Sequence, residues 1–253
     1  RCRLVGSEMC IRDRLEEKMK LIELAVALAY DAKVNMQDVY YQVRMWDTLI
    51  YNFLNKKGIV VPPGKRSDKD EKYAGAYVKE PIAGRYNWVV SFDLNSLYPH
   101  LIMQYNISPE TLVEKRHPSA TVNGLLSQKV EVPKEFCLCA NGAMYRKDIH
   151  GFLPEMMKKI YDERVQSKKL MILAKQEYEK TPTKELEKSI SKYNNIQMAR
   201  KIQLNSAYGA IGNQYFRYYN IINAEAITLS GQVSIRWIEH KMNTYLNKIL
   251  KTE

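Results

Sequence analysis

Apolar positions recur every three to four residues over five long stretches of this chain. Leu21, Leu24, Ala25, Leu28 and Ala29 fall on one face of a predicted amphipathic helix over 15–32. Trp46, Leu49, Ile50, Phe53 and Leu54 do the same over 42–55, and Gly58 ends that helix. Residues 155–179 carry an uninterrupted helical pattern. Thr181 and Pro182 then supply an N-cap and a first-turn proline for a return helix over 183–207. The pair is predicted to form an antiparallel helical hairpin whose outer faces carry Lys175, Lys180, Lys184, Lys188 and Lys192 in solvent. A last helix covers 220–250, with Trp237, Met242, Leu246 and Ile249 available to pack.

Between these helices the pattern shortens. Tyr86-Asn87-Trp88-Val89-Val90 is aromatic and β-branched and reads as a short buried strand. The strand must end before Pro99, which has no amide hydrogen for a ladder. Residues 61–72, with Pro62-Pro63-Gly64 followed by mixed charge, read as a linker, and Tyr73–Glu80 as an extended segment. Leu101–Tyr105 is a short helix that Ser108-Pro109-Glu110 breaks. Thr111–His150 reads as strands and loops with turns at Asn123-Gly124 and Asn141-Gly142. Tyr215-Phe216-Arg217-Tyr218-Tyr219 has two readings, a strand core or a platform on which nucleic-acid bases stack.

A chain of 253 residues can bury one large or two small cores. Lys and Arg number 39 against 28 Asp and Glu, a net charge of +11, which favours a polyanionic partner. Nucleic acid comes before membrane, because no long apolar span or basic amphipathic stretch occurs. Four cysteines are too few for a disulfide scaffold, and Cys137-x-Cys139 lacks the second pair a zinc site needs. No segment resembles a signal peptide, so a reduced, cytoplasmic setting is expected. His117 and His150 are lone loop histidines. Residues 1–14 end in Gly6-Ser7-Glu8-Met9-Cys10-Ile11-Arg12-Asp13-Arg14, which resembles a translated sequencing adaptor, and they are set aside from the fold reading.

Two clusters carry chemistry. In the first, Asp93 follows the predicted strand, Ser96 and Leu97 form a turn whose amides could meet an anion, and Tyr98 adds a flat ring. A buried carboxylate there requires a cation, and the group suits a nucleoside triphosphate with Mg²⁺. The alternative makes Asp93 a helix cap and Tyr98 a core residue. In the second, Lys201, Asn205 and Tyr208 are spaced i, i+4, i+7 on one helical face that Gly209 ends, and Arg164 and Lys168 form an i, i+4 pair upstream. Two helices with basic pairs suit a triphosphate; surface solvation is the alternative for each lysine taken singly.

These residues carry a resemblance. Asp93-Leu94-Asn95-Ser96-Leu97-Tyr98-Pro99 resembles motif A of the family B DNA polymerases. Lys201-Ile202-Gln203-Leu204-Asn205-Ser206-Ala207-Tyr208-Gly209 resembles their motif B, and Tyr73-Ala74-Gly75-Ala76 their tyrosine–glycine motif. Tyr105-Asn106-Ile107-Ser108-Pro109-Glu110-Thr111 and Gly212-Asn213-Gln214-Tyr215-Phe216-Arg217-Tyr218-Tyr219 are most similar to the replicative polymerases of T-even-type bacteriophages.

The resemblance implies an α+β fold with a partial palm, antiparallel helical-hairpin fingers and a helical N-terminal remnant. It divides the chain into a connector (15–72), a first palm part (73–150), fingers (151–213) and a second palm part (214–253). It implies template-directed DNA synthesis with two Mg²⁺ ions, both on Asp93 and one also on the Leu94 carbonyl. Ser96 and Leu97 amides would hold phosphates, and Tyr98 would lie under the deoxyribose. Arg164, Lys168 and Lys201 would grip the triphosphate, with Lys201 also donating a proton to pyrophosphate, and Asn205 would support this pocket. Tyr208 and Gly209 would face the nascent base pair. Tyr73 and Gly75 would approach the template, although a plain turn glycine is the alternative for Gly75.

The implied partners are primer–template DNA, deoxynucleoside triphosphates and a sliding clamp, reached through a missing C-terminal region, in the cytoplasm of a phage-infected bacterium. No membrane partner is implied. The family's third motif, with its second metal-binding carboxylate, and the thumb are absent, so the fragment alone is expected to be inactive. His100 stands where a serine is common, and the hairpin is shorter than in the T-even enzymes. The rival reading is a non-catalytic nucleic-acid-binding fragment.

Overall fold

Residues 8–64, 73–86 and 89–250 are described by a computed structural model. They form two units, each with its own packing: residues 8–61 with 159–206, and residues 62–158 with 207–250.

The first unit opens with α1 (Glu8–Met19) and α2 (Leu21–Ala32). The single helix expected over 15–32 is broken at Lys20, whose φ of 53° is left-handed. Glu16 makes the break tolerable: both its carboxylate oxygens accept the Ile22 amide at 3.1 Å, satisfying a first-turn donor of α2. Residues 8–14, set aside above, are the first part of α1; residues 1–7 lie outside the described residues. Ala25, Leu28, Ala29 and Ala32 of α2 are buried, while Leu21 is exposed.

A 3-10 turn (Met36–Tyr40) leads to α3 (Gln42–Lys56), which ends as expected at Gly58, φ 69°. Trp46, Ile50 and Leu54 form its buried stripe, about 1.5–3 kcal/mol of burial for each aliphatic side chain. The indole of Trp46 donates to the Ser206 hydroxyl at 3.0 Å, so the ring is buried without an orphaned donor.

The hairpin helices are α6 (Phe152–Lys180) and α7 (Lys184–Ile211). Two details depart from expectation. The cap of α7 is Thr183, not Thr181: the Thr183 hydroxyl accepts the Leu186 amide at 3.3 Å. Gly209 does not stop α7, which continues two residues further; a mid-helix glycine costs only about 1 kcal/mol, which the buried Ala207, Ala210 and Ile211 offset. Lys175, Lys180, Lys184, Lys188 and Lys192 are all exposed, as their spacing predicts.

The second unit contains α4 (Leu97–Gln104), α5 (Val122–Leu126), the strands β1 (Phe136–Leu138) and β2 (Met144–Arg146), and α8 (Ile221–Leu250). β1 and β2 pair antiparallel with Cys137 opposite Tyr145. Asn141-Gly142 makes their turn, as predicted. Gly142 sits at φ 82°, and a Cβ there would lie 2.6 Å from the His117 carbonyl oxygen. Asn123-Gly124, predicted as a second turn, lies inside α5, because Thr121 caps that helix by accepting the Gly124 amide at 3.0 Å.

Two further predicted strands are not found among the described residues. Tyr86, Val89 and Val90 are exposed and outside any ladder; Asn87 and Trp88 lie outside the described residues. A strand needs a neighbour for its amides and carbonyls, and no described segment pairs with 89–94. Tyr215–Tyr219 is a chain of turns in which Phe216 is buried against Tyr218, ring centres 5.6 Å apart, and Tyr215 is exposed.

In α8 the buried residues lie in the first half and most are small: Ala224, Ala226, Thr228, Ser230 and Gly231, with Asn223 and the bulkier Ile227 beside them. The bulky Trp237 and Ile249, expected to pack, are half exposed. Small residues let α4 and α5 approach the α8 backbone closely, and α8 packs against both.

The 105–111 loop forms the base from which α6 leaves. Asn106 adopts φ 55° and its side chain spans three backbone groups. It donates to the carbonyls of Arg146 (2.6 Å) and Ile149 (2.8 Å) and accepts the Gly151 amide at 3.0 Å. Glu110 accepts the Phe152 amide at 2.6 Å, a carboxylate at the positive end of α6.

Candidate functional site

The first cluster lies within the second unit. Ser96 takes a left-handed φ of 54°, and α4 begins immediately after it. The Leu97 and Tyr98 amides therefore belong to a first helical turn, where no intrahelical acceptor exists. Pro99 sits in the same turn and has no donor to lose. The turn predicted for Ser96 and Leu97 is thus a helix start.

Asp93 is exposed rather than buried at a strand end, and among the described residues no strand runs up to it. It lies in an open groove of about 720 Å³. One wall is Val90, Phe92, Leu94 and Leu97; the other is Ile235, Ile238, Met242 and Leu246 of α8. Phe92 and Leu94 remain exposed, so the groove presents apolar surface around one carboxylate. The Asp93 carboxylate and the Leu94 carbonyl are hard oxygen donors that suit Mg²⁺, which keeps several positions for water and phosphate oxygens. Among the described residues, no three His, Cys, Asp or Glu side chains converge closely enough to hold a metal ion.

Tyr98 is half-buried, and its ring meets that of Tyr208 of α7 with centroids 4.8 Å apart and planes at 50°. The hydroxyls of Tyr208 and Tyr73 are 3.0 Å apart. The sequence separates Tyr73, Tyr98 and Tyr208 widely; the fold makes them one cluster. Burial raises the Tyr208 phenol pKa first, followed by the hydrogen bond with Tyr73 and the proximity of Tyr73 and Tyr98. Burial likewise raises that of Tyr98.

The segment carrying Tyr73 and Gly75 is held on α8. The Thr228 hydroxyl donates to the Ala74 carbonyl at 2.8 Å, and the Gln232 amide to the Gly75 carbonyl at 2.7 Å. Gly75 has nothing within 4 Å of a built Cβ and a φ outside the left-handed region, so neither packing nor strain requires glycine there in the chain alone.

Two glycines that the sequence reading passed over matter more. A Cβ at Gly212 would lie 2.7 Å from the Tyr73 hydroxyl, and one at Gly231 would lie 3.3 Å from the Tyr98 ring. An isolated glycine inside the α8 pattern is the available signal for such close approach.

The second cluster lies on the hairpin helices. Lys201 and Asn205 are exposed on α7, which also carries Tyr208. On α6, Lys168 is exposed and Arg164 half-buried. Gly209, part of α7, is exposed. The pattern also missed Glu163 and Arg200, adjacent in sequence to Arg164 and Lys201, whose ion pair (2.7 Å) joins α6 to α7.

Cys139 is buried beside Tyr145, and burial pushes its thiol up to about 12. It is packing, not a reactive or metal-binding group. No helix among the described residues is long and apolar enough to cross a membrane.

The chain is 34% identical over 282 residues to the DNA-directed DNA polymerase of Escherichia phage RB69, covering 95% of this chain and 31% of that protein. It is 35% identical over 277 residues to that of Enterobacteria phage T4, covering 91% and 30%. The chain thus spans under a third of the length of these curated relatives. The family B DNA polymerase of the archaeon Pyrobaculum calidifontis has a similar fold, with a TM-score of 0.62 at 24% identity over 91% of this chain and 28% of that one. The sequence profile of DNA polymerase family B matches residues 35–253, and with these relatives it establishes that the chain belongs to that family.

Proposed function

We propose that this chain is the nucleotide-handling segment of a template-directed DNA polymerase. Residues 15–72 are its connector, 73–150 and 214–253 parts of the palm, and 151–213 the fingers. The observation that carries the reading is the contact of Tyr98 with Tyr208. Within the second unit it joins the segment bearing Asp93 to the C-terminal end of α7, across about a hundred residues of sequence.

Asp93 and the Leu94 carbonyl would hold Mg²⁺, which when bound would supply positive charge to the attacking 3′-oxygen and to pyrophosphate. The amides of Ser96 and Leu97, at the left-handed turn and helix start, receive phosphate oxygens. Arg164, Lys168 and Lys201 neutralise the triphosphate, and Asn205 supports it. Lys201 then donates a proton to the leaving pyrophosphate. Tyr98, seated on Tyr208 and against Gly231, presents a fixed ring edge that a 2′-hydroxyl would strike. Tyr208 and Gly209 line the base pair, and Tyr73 steadies Tyr208 from behind through their hydroxyl contact.

The 253-residue chain alone binds primer–template DNA without extending it. Asp93 is the one carboxylate assigned to the metal, and among the described residues no three His, Cys, Asp or Glu side chains converge to hold an ion; a single carboxylate is too few for two ions in the geometry of in-line displacement.

The test is single-nucleotide incorporation by the full-length enzyme, with deoxyribo- and ribonucleotides, before and after Tyr98→Ala. The reading expects the wild type to prefer deoxyribonucleotides and the variant to lose much of that preference. Absence of template-dependent extension by the full-length enzyme would overturn it.

A further inference from the structure

Resting on the nucleotide-clamp reading above, we infer that Arg200 is a positioning residue. With Glu163 and Asp31 it locks the rotation of α7, so that Lys201 meets the triphosphate. One guanidinium reaches three helices of the first unit. It pairs with Asp31 of α2 and with Glu163 of α6, the latter at 2.7 Å, while its own base is on α7. Gln203, fully buried one turn along α7, donates to Asp31 at 2.6 Å and accepts from Arg200 at 3.0 Å.

A second tie runs parallel to the first. Glu23 of α2 accepts from Asn195 of α7 at 2.9 Å. Glu23 and Asp31 are eight residues apart, as are Asn195 and Gln203, so α2 lies along α7 in matching register and the same direction. Trp46 of α3 holds Ser206 from the same side.

Three helices therefore hold one side of α7, and Lys201 and Asn205 are exposed on the other. One residue along a helix is a rotation of about 100°, so slack in this brace turns the lysine away from its target. The partners of the brace are also the sequence neighbours of the clamp: Glu163 precedes Arg164 and Arg200 precedes Lys201. Glu163 and Arg200 stand almost equally far from the turn between α6 and α7, so their pair sets the axial level at which the two clamp residues stand. The planar guanidinium, with five N–H donors in a fixed fork, serves two carboxylates on two helices in one set geometry, which a rotatable ammonium on a flexible stem does not reproduce.

The test is pre-steady-state incorporation by the full-length polymerase carrying Glu163→Gln, Arg200→Lys or Lys201→Ala, and Glu163→Gln combined with Lys201→Ala. Melting of each variant is recorded alongside. Glu163→Gln and Arg200→Lys are expected to weaken nucleotide affinity or incorporation rate about two- to thirtyfold, with DNA affinity unchanged. In the Lys201→Ala background, Glu163→Gln is expected to cost nothing further, because the group it positions is gone. A full additional loss in that background, or a change in melting alone, overturns the inference. If Lys201→Ala is damaging while Glu163→Gln and Arg200→Lys both match wild type, the inference fails and the clamp reading stands. If Lys201→Ala is itself silent, both fail.

Discussion

Arg164, Lys168, Lys201 and Asn205 stand on helices of 29 and 28 residues, whereas Asp93 and Leu94 stand on backbone that no ladder holds. Both regions belong to the proposed nucleotide site, and they are built in opposite ways. The helical region satisfies its own hydrogen bonds and is braced by ion pairs and a buried indole. The 89–94 segment exposes Val89, Val90 and Phe92, and the chain enters regular structure only at α4. A helix can be completed locally; an extended segment depends on whatever lies beside it. Substitutions in the two regions should therefore separate stability from turnover.

The largest effect is expected at Asp93. Its side chain supports no packing, so Asp93→Asn should leave melting unchanged. In the full-length polymerase it should reduce incorporation about a hundred- to thousandfold or more, with duplex DNA still bound. Near-normal turnover would remove Asp93 from the chemistry. The converse case is Trp46→Ala. It empties a buried site and orphans the Ser206 contact, and should destabilise the chain by about 3–5 kcal/mol in chemical denaturation. A loss under 1 kcal/mol would mean that the first unit does not depend on this brace.

Next comes a comparison within α7. Lys201→Ala should cost about 2–4 kcal/mol in incorporation, because the contact strengthens as charge builds on pyrophosphate. Lys188→Ala, thirteen residues away on the same helix and about 20 Å along the axis, should only weaken DNA binding in a salt-dependent way. Equal losses would make the hairpin a diffuse positive field and dissolve the distinction between clamp and surface lysines.

The smallest effect is a titration. The folded phenols of Tyr98, Tyr145 and Tyr208 have raised pKa values, mainly through burial. Their contribution to stability is fully present below the unfolded value near 10 and is lost as pH rises through the folded values. Ultraviolet titration should show these phenols ionising after the exposed tyrosines, and Tyr208→Phe should remove one late step. Simultaneous ionisation of all tyrosines near pH 10 would show that the Tyr73–Tyr98–Tyr208 cluster is open to water.

By itself the sequence determined the helices and the two motifs. The 3.6-residue period at Trp46, Ile50 and Leu54, and the long runs before and after Thr181-Pro182, depend on neighbours within a turn or two, which sequence displays directly. The spacing of Lys201 and Asn205 on one helical face follows from the same geometry.

Only the tertiary structure decided the rest. It seated Tyr98 on Tyr208 and hung Tyr73 from the same hydroxyl network. It gave Gly212 and Gly231 their importance through contacts from 139 and 133 positions away. It paired Arg200 with Asp31 and Glu163, gave 89–94 no strand partner among the described residues, and broke the first predicted helix at Lys20, where Glu16 could cap the new start. Each of these outcomes turns on which atoms meet across distant segments. Hydrophobic period encodes which face is buried, but not the partner buried against it.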